Sequence, residues 1–135
     1  MARPLKDRNP AQPEPTEAEL QLLRVLWKQG PATVREVWEQ LGSHGSYTTV
    51  LKQLQVMFEK GLVTRNDAER THVFSAAMPE QKVQKSLLGR LMTQMFEGSA
   101  GQLVLGALST KKVSAEEREE IRKLLDEMDR KEGKD

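Results

Sequence analysis

Residues 46–63 have the sequence SYTTVLKQLQVMFEKGLV, and the rest of the chain is best interpreted from this stretch. Its apolar residues recur at helical spacing, which predicts a helix with one buried face. These residues are Val50, Leu51, Leu54, Met57 and Phe58. The first turn is instead polar and rich in hydroxyl groups, and Lys52 follows on the polar side. Ser46 is a favourable N-cap, and Gly61 suits the left-handed residue that ends many helices.

Two shorter helices are predicted before this stretch. The sequence TEAE at 16–19 is a capping box, and TVRE at 33–36 is a second one. Apolar residues follow each box at helical spacing, and Gly30 and Gly42 end the two helices. A tight turn that contains glycine then joins the second helix to the third. This order of elements is the helix-turn-helix arrangement.

After Gly61 the apolar pattern changes from a helical period to that of a strand. The segments LVTR, NDAE and RTHVFSA predict a strand, a turn and a strand. A hairpin directly after the third helix is the wing of a winged helix-turn-helix. The predicted fold class is therefore mainly α with a small β-hairpin, in which a winged helix DNA-binding domain at 16–79 precedes a helical dimerisation domain.

Residues 80–130 return to helical periodicity, with a third capping box at Ser114 and Glu117. Helices this short and one-sided cannot form a core of their own, so their apolar surface predicts an interface. The residues predicted for the dimer interface are Leu87, Leu88, Leu91, Met95, Leu103, Leu108, Ile121, Leu124, Leu125 and Met128. Residues 1–15 contain four prolines and are predicted to be a flexible tail, and 131–135 to be a disordered end.

Composition limits the possible classes of protein. The chain has 135 residues, of which 30% are charged and 4% aromatic, which indicates a helix-rich soluble protein. The formal net charge is +1, so any DNA-binding surface must be a local patch. The sequence has no cysteine, which excludes disulfides and thiol chemistry. No apolar run approaches the roughly 18 residues of a membrane span, so we expect no membrane insertion. The lack of cysteine fits a reducing cytosol.

The polar first turn of the third helix has a functional interpretation. An α-helix fits the DNA major groove, and the N-terminal residues of a recognition helix contact base edges. Threonine and lysine side chains, together with Gln53 and Gln55, lie off the apolar stripe and can donate to bases or phosphates. The alternative is that Ser46 and the threonines only cap the helix. Within a helix-turn-helix followed by a hairpin, DNA contact is the favoured interpretation.

Further candidates lie outside the third helix. Arg35 begins the second helix, while Arg65, Arg70 and His72 flank the hairpin and would lie along phosphates. Acidic residues in the same hairpin weaken this basic character. The residues predicted to bind DNA are Arg35, Ser46, Tyr47, Thr48, Thr49, Lys52, Gln53, Arg65, Arg70 and His72.

Catalytic, metal and cofactor sites are not expected. His44 and His72 are far apart and have no ligand partners at metal-site spacing. The acidic run AEEREE is explained by the preference for acids at a helix N-terminus. Trp27 and Trp38 fall on apolar stripes and are predicted to belong to the core. We therefore expect a protein that is not an enzyme and that uses no cofactor.

Four segments resemble the penicillinase-repressor family, also called the BlaI/MecI/CopY family. They are PTEAELQLLRVLW, ATVREVWEQL, YTTVLKQLQVMFEKGLV and HVFSAAMP, and the resemblance extends from Pro15 to about Met128. It implies a cytoplasmic bacterial repressor that binds a palindromic operator as a homodimer in an antibiotic-resistance or related stress-response circuit. It also implies that Thr48, Thr49 and Lys52 face DNA and that Arg70 lies in the wing.

Two departures from the family pattern concern induction. Members that respond to β-lactams are inactivated when a step activated by a membrane sensor protease cuts an Asn-Phe bond, and Gly106-Ala107 stands at that place here. Copper-responsive members end in a cysteine-rich motif, which this chain lacks. Two other functions stay open at this stage, a winged-helix protein-interaction module and a ligand-sensing regulator of the multiple-antibiotic-resistance type.

Overall fold

The computed structural model describes residues 14–43, 45–68 and 70–133. The elements are α1 (Glu17–Gln29), β1 (Ala32–Thr33), α2 (Val34–Gln40), α3 (Tyr47–Lys60), β2 (Val63–Asn66), β3 (Val73–Ala76), α4 (Glu80–Met95), α5 (Ala100–Thr110) and α6 (Ala115–Gly133). The chain divides into two compact units after Gly89. The mainly helical fold with a winged helix-turn-helix, predicted from the sequence, is confirmed.

The helices begin where the capping signals predict. Thr16 and Glu19 exchange hydrogen bonds, with the Glu19 amide donating to the Thr16 hydroxyl at 3.2 Å and the Thr16 amide to the Glu19 carboxylate at 2.9 Å. The boxes that begin α2 and α6 have the same reciprocal bonds. Gly61 ends α3 with φ at 85°, a left-handed conformation that favours glycine. Local sequence therefore fixes these helix ends.

The sheet contains one strand that the sequence pattern did not predict. Its antiparallel order is β1-β3-β2, with Ala32 opposite Phe74 on one side of β3 and Arg65 opposite Phe74 on the other. The two residues of β1 are too few to show a period of two, so only the structure reveals them. The second hairpin strand begins at Val73 rather than at residue 70, which lengthens the loop at the tip.

One core holds the first unit together. It brings the apolar faces of α1, α2 and α3 against the sheet. Its buried members are Leu22, Leu23, Leu26, Ala32, Val34, Val37, Val50, Leu54, Met57, Leu62, Val63 and Phe74. Val50, Leu54 and Met57 are the positions through which α3 enters this core. Their burial fixes the orientation of α3 about its own axis.

The two tryptophans are partly buried and pack against this core from its edge. Each indole N–H donates to a backbone carbonyl, the kind of partner that it needs when the ring is buried. Trp27 Nε1 donates to the carbonyl of Met78 at 2.9 Å, and this bond joins α1 to the segment that leads into α4. Trp38 Nε1 donates to the carbonyl of Gly45 at 3.3 Å, in the turn before α3. The two tryptophans predicted to belong to the core are therefore partly buried and packed against it.

The boundary between the units lies ten residues beyond the predicted one. The first part of α4 belongs to the first unit, where Val83 is buried and Leu87 is half-buried beside Pro15 and Met78. Leu87 and Leu88, predicted for the dimer interface, therefore both lie in the first unit.

The second unit, residues 90–135, has no core of its own among the residues described. Neither α5 nor α6 contains a buried residue. The helix α6 continues to Gly133, so the predicted disordered end is wrong for 131–133. The last two residues, like 1–13 of the predicted flexible tail, lie outside the described residues. No helix in the described ranges is both long and apolar enough to span a membrane.

A partly buried ion pair joins α1 to the end of α3. Glu19 is 6% exposed, and its two carboxylate oxygens accept from Lys60 Nζ at 2.8 and 2.9 Å. Burial opposes ionisation of Glu19, but the bonds from Lys60 and Thr16 outweigh it. The pKa of Glu19 therefore lies below its ordinary value of 4.5. The capping carboxylate of one helix thus also holds the C-terminal end of another.

We expect Lys60→Met to lower the free energy of unfolding by about 2 kcal/mol near neutral pH. This is less than the about 3–5 kcal/mol for a fully buried pair, because the Lys60 side chain is 36% exposed. The depressed pKa means that the pair contributes its full stability above about pH 4.5 and loses it as the pH falls through the folded-state pKa of Glu19.

Urea unfolding at neutral and at acid pH measures this effect. The difference between wild type and Lys60→Met should shrink in acid, while Lys28→Met, which removes an exposed lysine of α1, should change stability little at either pH. An equal loss at both pH values would contradict the assignment to the Glu19 carboxylate.

Candidate nucleic-acid interface

The first turn of α3 uses part of its polar groups to cap the helix. Ser46 is the N-cap, and its hydroxyl accepts from the Thr49 amide at 3.0 Å and lies 2.8 Å from the Thr49 hydroxyl. Thr48 and Lys52 are exposed and form none of these capping bonds. The capping interpretation of this turn therefore applies to Ser46. Thr48 and Lys52 are exposed and remain available for contact with DNA.

The buried stripe of α3 determines which residues form its outer face. At 100° per residue, positions opposite Val50 and Leu54 point away from the core. The exposed residues on that side are Thr48, Lys52, Gln55, Val56 and Glu59. The helix has 14 residues, about 21 Å of length. It therefore presents a continuous, mostly polar face that is long enough to lie in a major groove.

Tyr47 is held by residues of α2 at the leading end of α3. Its ring lies edge-on to Trp38, with centroids 6.0 Å apart and an interplanar angle of 79°. The Arg35 guanidinium lies 5.7 Å from the centre of the Tyr47 ring, and Arg35 is also 4.0 Å from Glu39. The structure thus brings two of the predicted DNA-binding residues, Arg35 and Tyr47, to one place beside the first turn of α3.

Gln53 lies apart from this outer face. It is half-buried and lines a cleft of about 310 Å³ together with Gln21, Ser46, Thr49 and other residues of α1 and α3. Gln55 and Val56, which are exposed, lie beside Lys52 instead. Sequence spacing could have separated these residues, because Gln53 is one position before buried Leu54 and three after buried Val50.

The wing carries a charge cluster that is partly neutralised. Arg65 Nε lies 2.9 Å from the Asp67 carboxylate, and the Arg65 guanidinium lies 4.5 Å from the centre of the Phe58 ring. His72 Nδ1 is 2.7 Å from the same carboxylate oxygen of Asp67. Arg70 is exposed in the loop between the strands. Of the wing's predicted DNA-binding residues, Arg65 and His72 are thus tied to an acid, and Arg70 is exposed.

Asp67 stays ionised throughout the neutral range. Desolvation opposes its ionisation, but the hydrogen bond and charge of Arg65 and the charge of His72 outweigh this. The pKa of Asp67 therefore lies below its ordinary value of 3.8. The positive potential of the wing is accordingly reduced by one full negative charge at the position where phosphates would approach.

No group of three or more potential metal ligands occurs within the described ranges. His44, one of the two histidines considered for a metal site, lies outside those ranges. The polar side chains of interest in the first unit are those of α3, of the start of α2 and of the wing. Hydroxyl, ammonium and guanidinium groups of this kind bind phosphates and base edges.

We expect Asp67→Asn to tighten binding to double-stranded DNA several-fold and to make the affinity more dependent on salt. Removing this carboxylate frees about one positive charge for a phosphate, so the slope of log K against log salt should become steeper by up to about 0.9. Fluorescence anisotropy over a series of salt concentrations measures both quantities.

Asp126→Asn, which removes an exposed carboxylate from α6, is the matched control and should leave the salt slope unchanged. A slope that is the same in Asp67→Asn and in wild type would show that the wing does not lie along phosphates.

Comparison with known proteins gives a consistent result along the chain. The family model described as penicillinase repressor matches residues 15–127. The penicillinase repressor of Bacillus licheniformis is 23% identical over 117 residues, which cover 85% of this chain and 91% of that protein. The family match extends from the residue before the Thr16 cap into α6.

Two solved structures are similar to parts of the fold. The DNA-binding domain of the repressor BlaI is 27% identical, with a TM-score of 0.46, and the match covers 51% of this chain and 87% of that one. The transcriptional regulator Tm0710 of Thermotoga maritima is 19% identical, with a TM-score of 0.48 and coverage of 87% and 74%.

Proposed function

Because the chain belongs to the penicillinase repressor family, as its sequence predicted, we propose that it represses transcription as a homodimer on a palindromic operator. Membership makes it a winged-helix, DNA-binding transcriptional repressor and not an enzyme. The observation that carries the proposal is α3, whose buried stripe fixes an exposed polar face behind a capped first turn.

The proposed DNA contacts follow from the position of each side chain. Thr48 and Lys52 would enter the major groove, where a lysine can donate to guanine and a threonine methyl can contact thymine. Thr49, which is exposed but bonded to Ser46 and beside the cleft that Gln53 lines, would reach the groove only from its edge. Arg35 and Tyr47 would lie at the sugar-phosphate backbone beside the first turn. Arg70, exposed in the wing, would supply a contact to phosphate that sets affinity but not sequence choice.

The proposed homodimer is supported by the second unit. Within α5, Leu105 is 64% exposed, and within α6, Leu124 is 58% exposed. The segment from Gly98 to Thr110 contains no charged residue. Apolar surface on this scale usually marks an interface. The predicted interface residues Leu91, Met95, Leu103, Leu108, Ile121, Leu125 and Met128 lie in this unit too.

Dimerisation would also raise the affinity of a small winged-helix domain for its operator. One winged helix reads only half of a palindrome, and coupling two of them makes the second contact effectively intramolecular. We expect half-sites about 34–36 Å apart, one turn of DNA, or a multiple of this distance. A protein acting on promoter DNA in this way would work in the bacterial cytoplasm, by blocking access of polymerase.

We place the repressor in a β-lactam-resistance-like or related stress-response circuit, on the basis of its family. The signal that releases it would act by weakening the dimer. A membrane sensor protease is one such partner, but Gly106 and Ala107 lie inside α5, where the backbone is helical. A protease needs an extended segment, so cutting here would require α5 to unfold.

We expect Lys52→Ala to weaken operator binding by about 1–3 kcal/mol, or roughly fivefold to 150-fold, without unfolding the protein. Thr49→Ala should have a smaller effect, together with a slight loss of stability because the Ser46 hydroxyl loses a neighbour. Anisotropy titration measures the affinity, and thermal unfolding measures the stability. Lys28→Ala, on the exposed side of α1, is the control.

The decisive titration uses the promoter upstream of the protein's own gene, with excess competitor DNA and at two salt concentrations. Binding that resists competitor and maps to an inverted repeat supports the repressor. Operator affinity that is unchanged in a folded Lys52→Ala, Thr49→Ala double variant would remove α3 from the proposed contacts.

We expect Leu124→Glu to convert the dimer to a monomer at micromolar concentration and to weaken operator binding by more than about tenfold, since a buried unpaired charge opposes association. Sedimentation velocity measures the mass. Lys123→Glu changes the adjacent exposed residue by a larger charge difference and should stay dimeric. If both variants remain dimeric to the same extent, this face of α6 is not part of the interface.

A further inference from the structure

Val56 is an exposed apolar residue in the middle of α3. Its side chain is 44% exposed. Two other large apolar residues of α3 are also exposed, but each has an aromatic or cationic neighbour. Tyr47 packs against Trp38, and Phe58 lies under the Arg65 guanidinium.

The position of Val56 on the helix matches that of the proposed DNA contacts. It follows Lys52 by four residues and Thr49 by seven, so the three side chains share one side of α3. It lies about 10 Å along the axis from Thr49, which corresponds to about three base pairs of 3.4 Å. Val56 would therefore meet the same half-site as the first turn.

The surroundings of Val56 distinguish it from a protein-docking patch. Its exposed neighbours on α3, Gln55 and Glu59, are polar and acidic. A single apolar side chain in a polar face buries too little area for a protein interface. The Val56 side chain is instead suited to contact one small apolar group within an otherwise polar groove.

The major groove offers one such target, the C5-methyl group of thymine. Valine has a branched, apolar end and one strongly preferred rotamer in a helix, so it loses little freedom on contact. We propose that Val56 is a specificity-determining residue that contacts a thymine methyl group in each operator half-site. This inference rests on the proposed function, because it requires α3 to lie in the major groove.

The test replaces thymine by deoxyuridine, which lacks the methyl group and keeps the same base-pairing edge. A randomised-site selection with wild-type protein first defines the bound sequence. Each thymine of one half-site is then replaced in turn. Burying one methyl group contributes about 0.8 kcal/mol, so wild type should lose about fourfold in affinity at one thymine. Replacement of the same thymine in both half-sites should lower the affinity about fifteenfold.

The variant Val56→Ser removes both methyl groups from an exposed site, and its fold can be checked by circular dichroism. It should bind the thymine and deoxyuridine duplexes equally at that position. Gln55→Ala, the adjacent exposed residue, is the matched control and should keep the wild-type discrimination.

Three results would overturn the inference. Wild-type binding that is specific but indifferent to every methyl group leaves the repressor function intact and removes the contact. A methyl effect that persists in Val56→Ser assigns the contact to another side chain, such as a threonine of the first turn. Absence of any sequence-specific binding removes both the inference and the proposed function.

Discussion

Burial of one side of α3 is the constraint on which the proposed DNA-binding surface depends. Val50, Leu54 and Met57 enter the core, which fixes the rotation of the helix and thereby its outer face. The Glu19–Lys60 pair adds a second restraint at the far end of the helix. Two independent restraints, one apolar and one ionic, hold a helix whose outer side chains have few contacts of their own. Such preorganisation reduces the entropy that is lost when the helix binds.

Charge in this molecule is arranged locally rather than globally. The net charge is +1, and even the wing holds its Arg65 and His72 against an ionised Asp67. A weak general field limits non-specific attraction to DNA, because that attraction comes from phosphate neutralisation. In the proposed function, specificity would then depend on the exposed side chains of α3. The modest basic character of the wing is consistent with a repressor that selects by base contacts.

The second unit differs from the first in how little of its apolar surface is buried. Its helices are well defined by local signals, such as the Ser114 capping box, but α5 and α6 contain no fully buried residue. Most helical stability in proteins comes from tertiary packing of an apolar face. In the proposed homodimer, the stability of this unit would depend on association, which would link folding, dimerisation and operator binding in one equilibrium. A signal that perturbs any of the three would release the DNA.

The sequence by itself determined the limits of the first three helices, the start of α6, the hairpin and the family, because capping boxes, helix-ending glycines and apolar periods act within a few residues of each other. Only the tertiary structure decided which side chains are paired, which are buried and which stay exposed. It introduced β1, paired Glu19 with a lysine 41 residues away, directed Gln53 into a cleft and left Val56 exposed. These outcomes depend on contacts between distant segments, and no local pattern records them until the core fixes each helix in place.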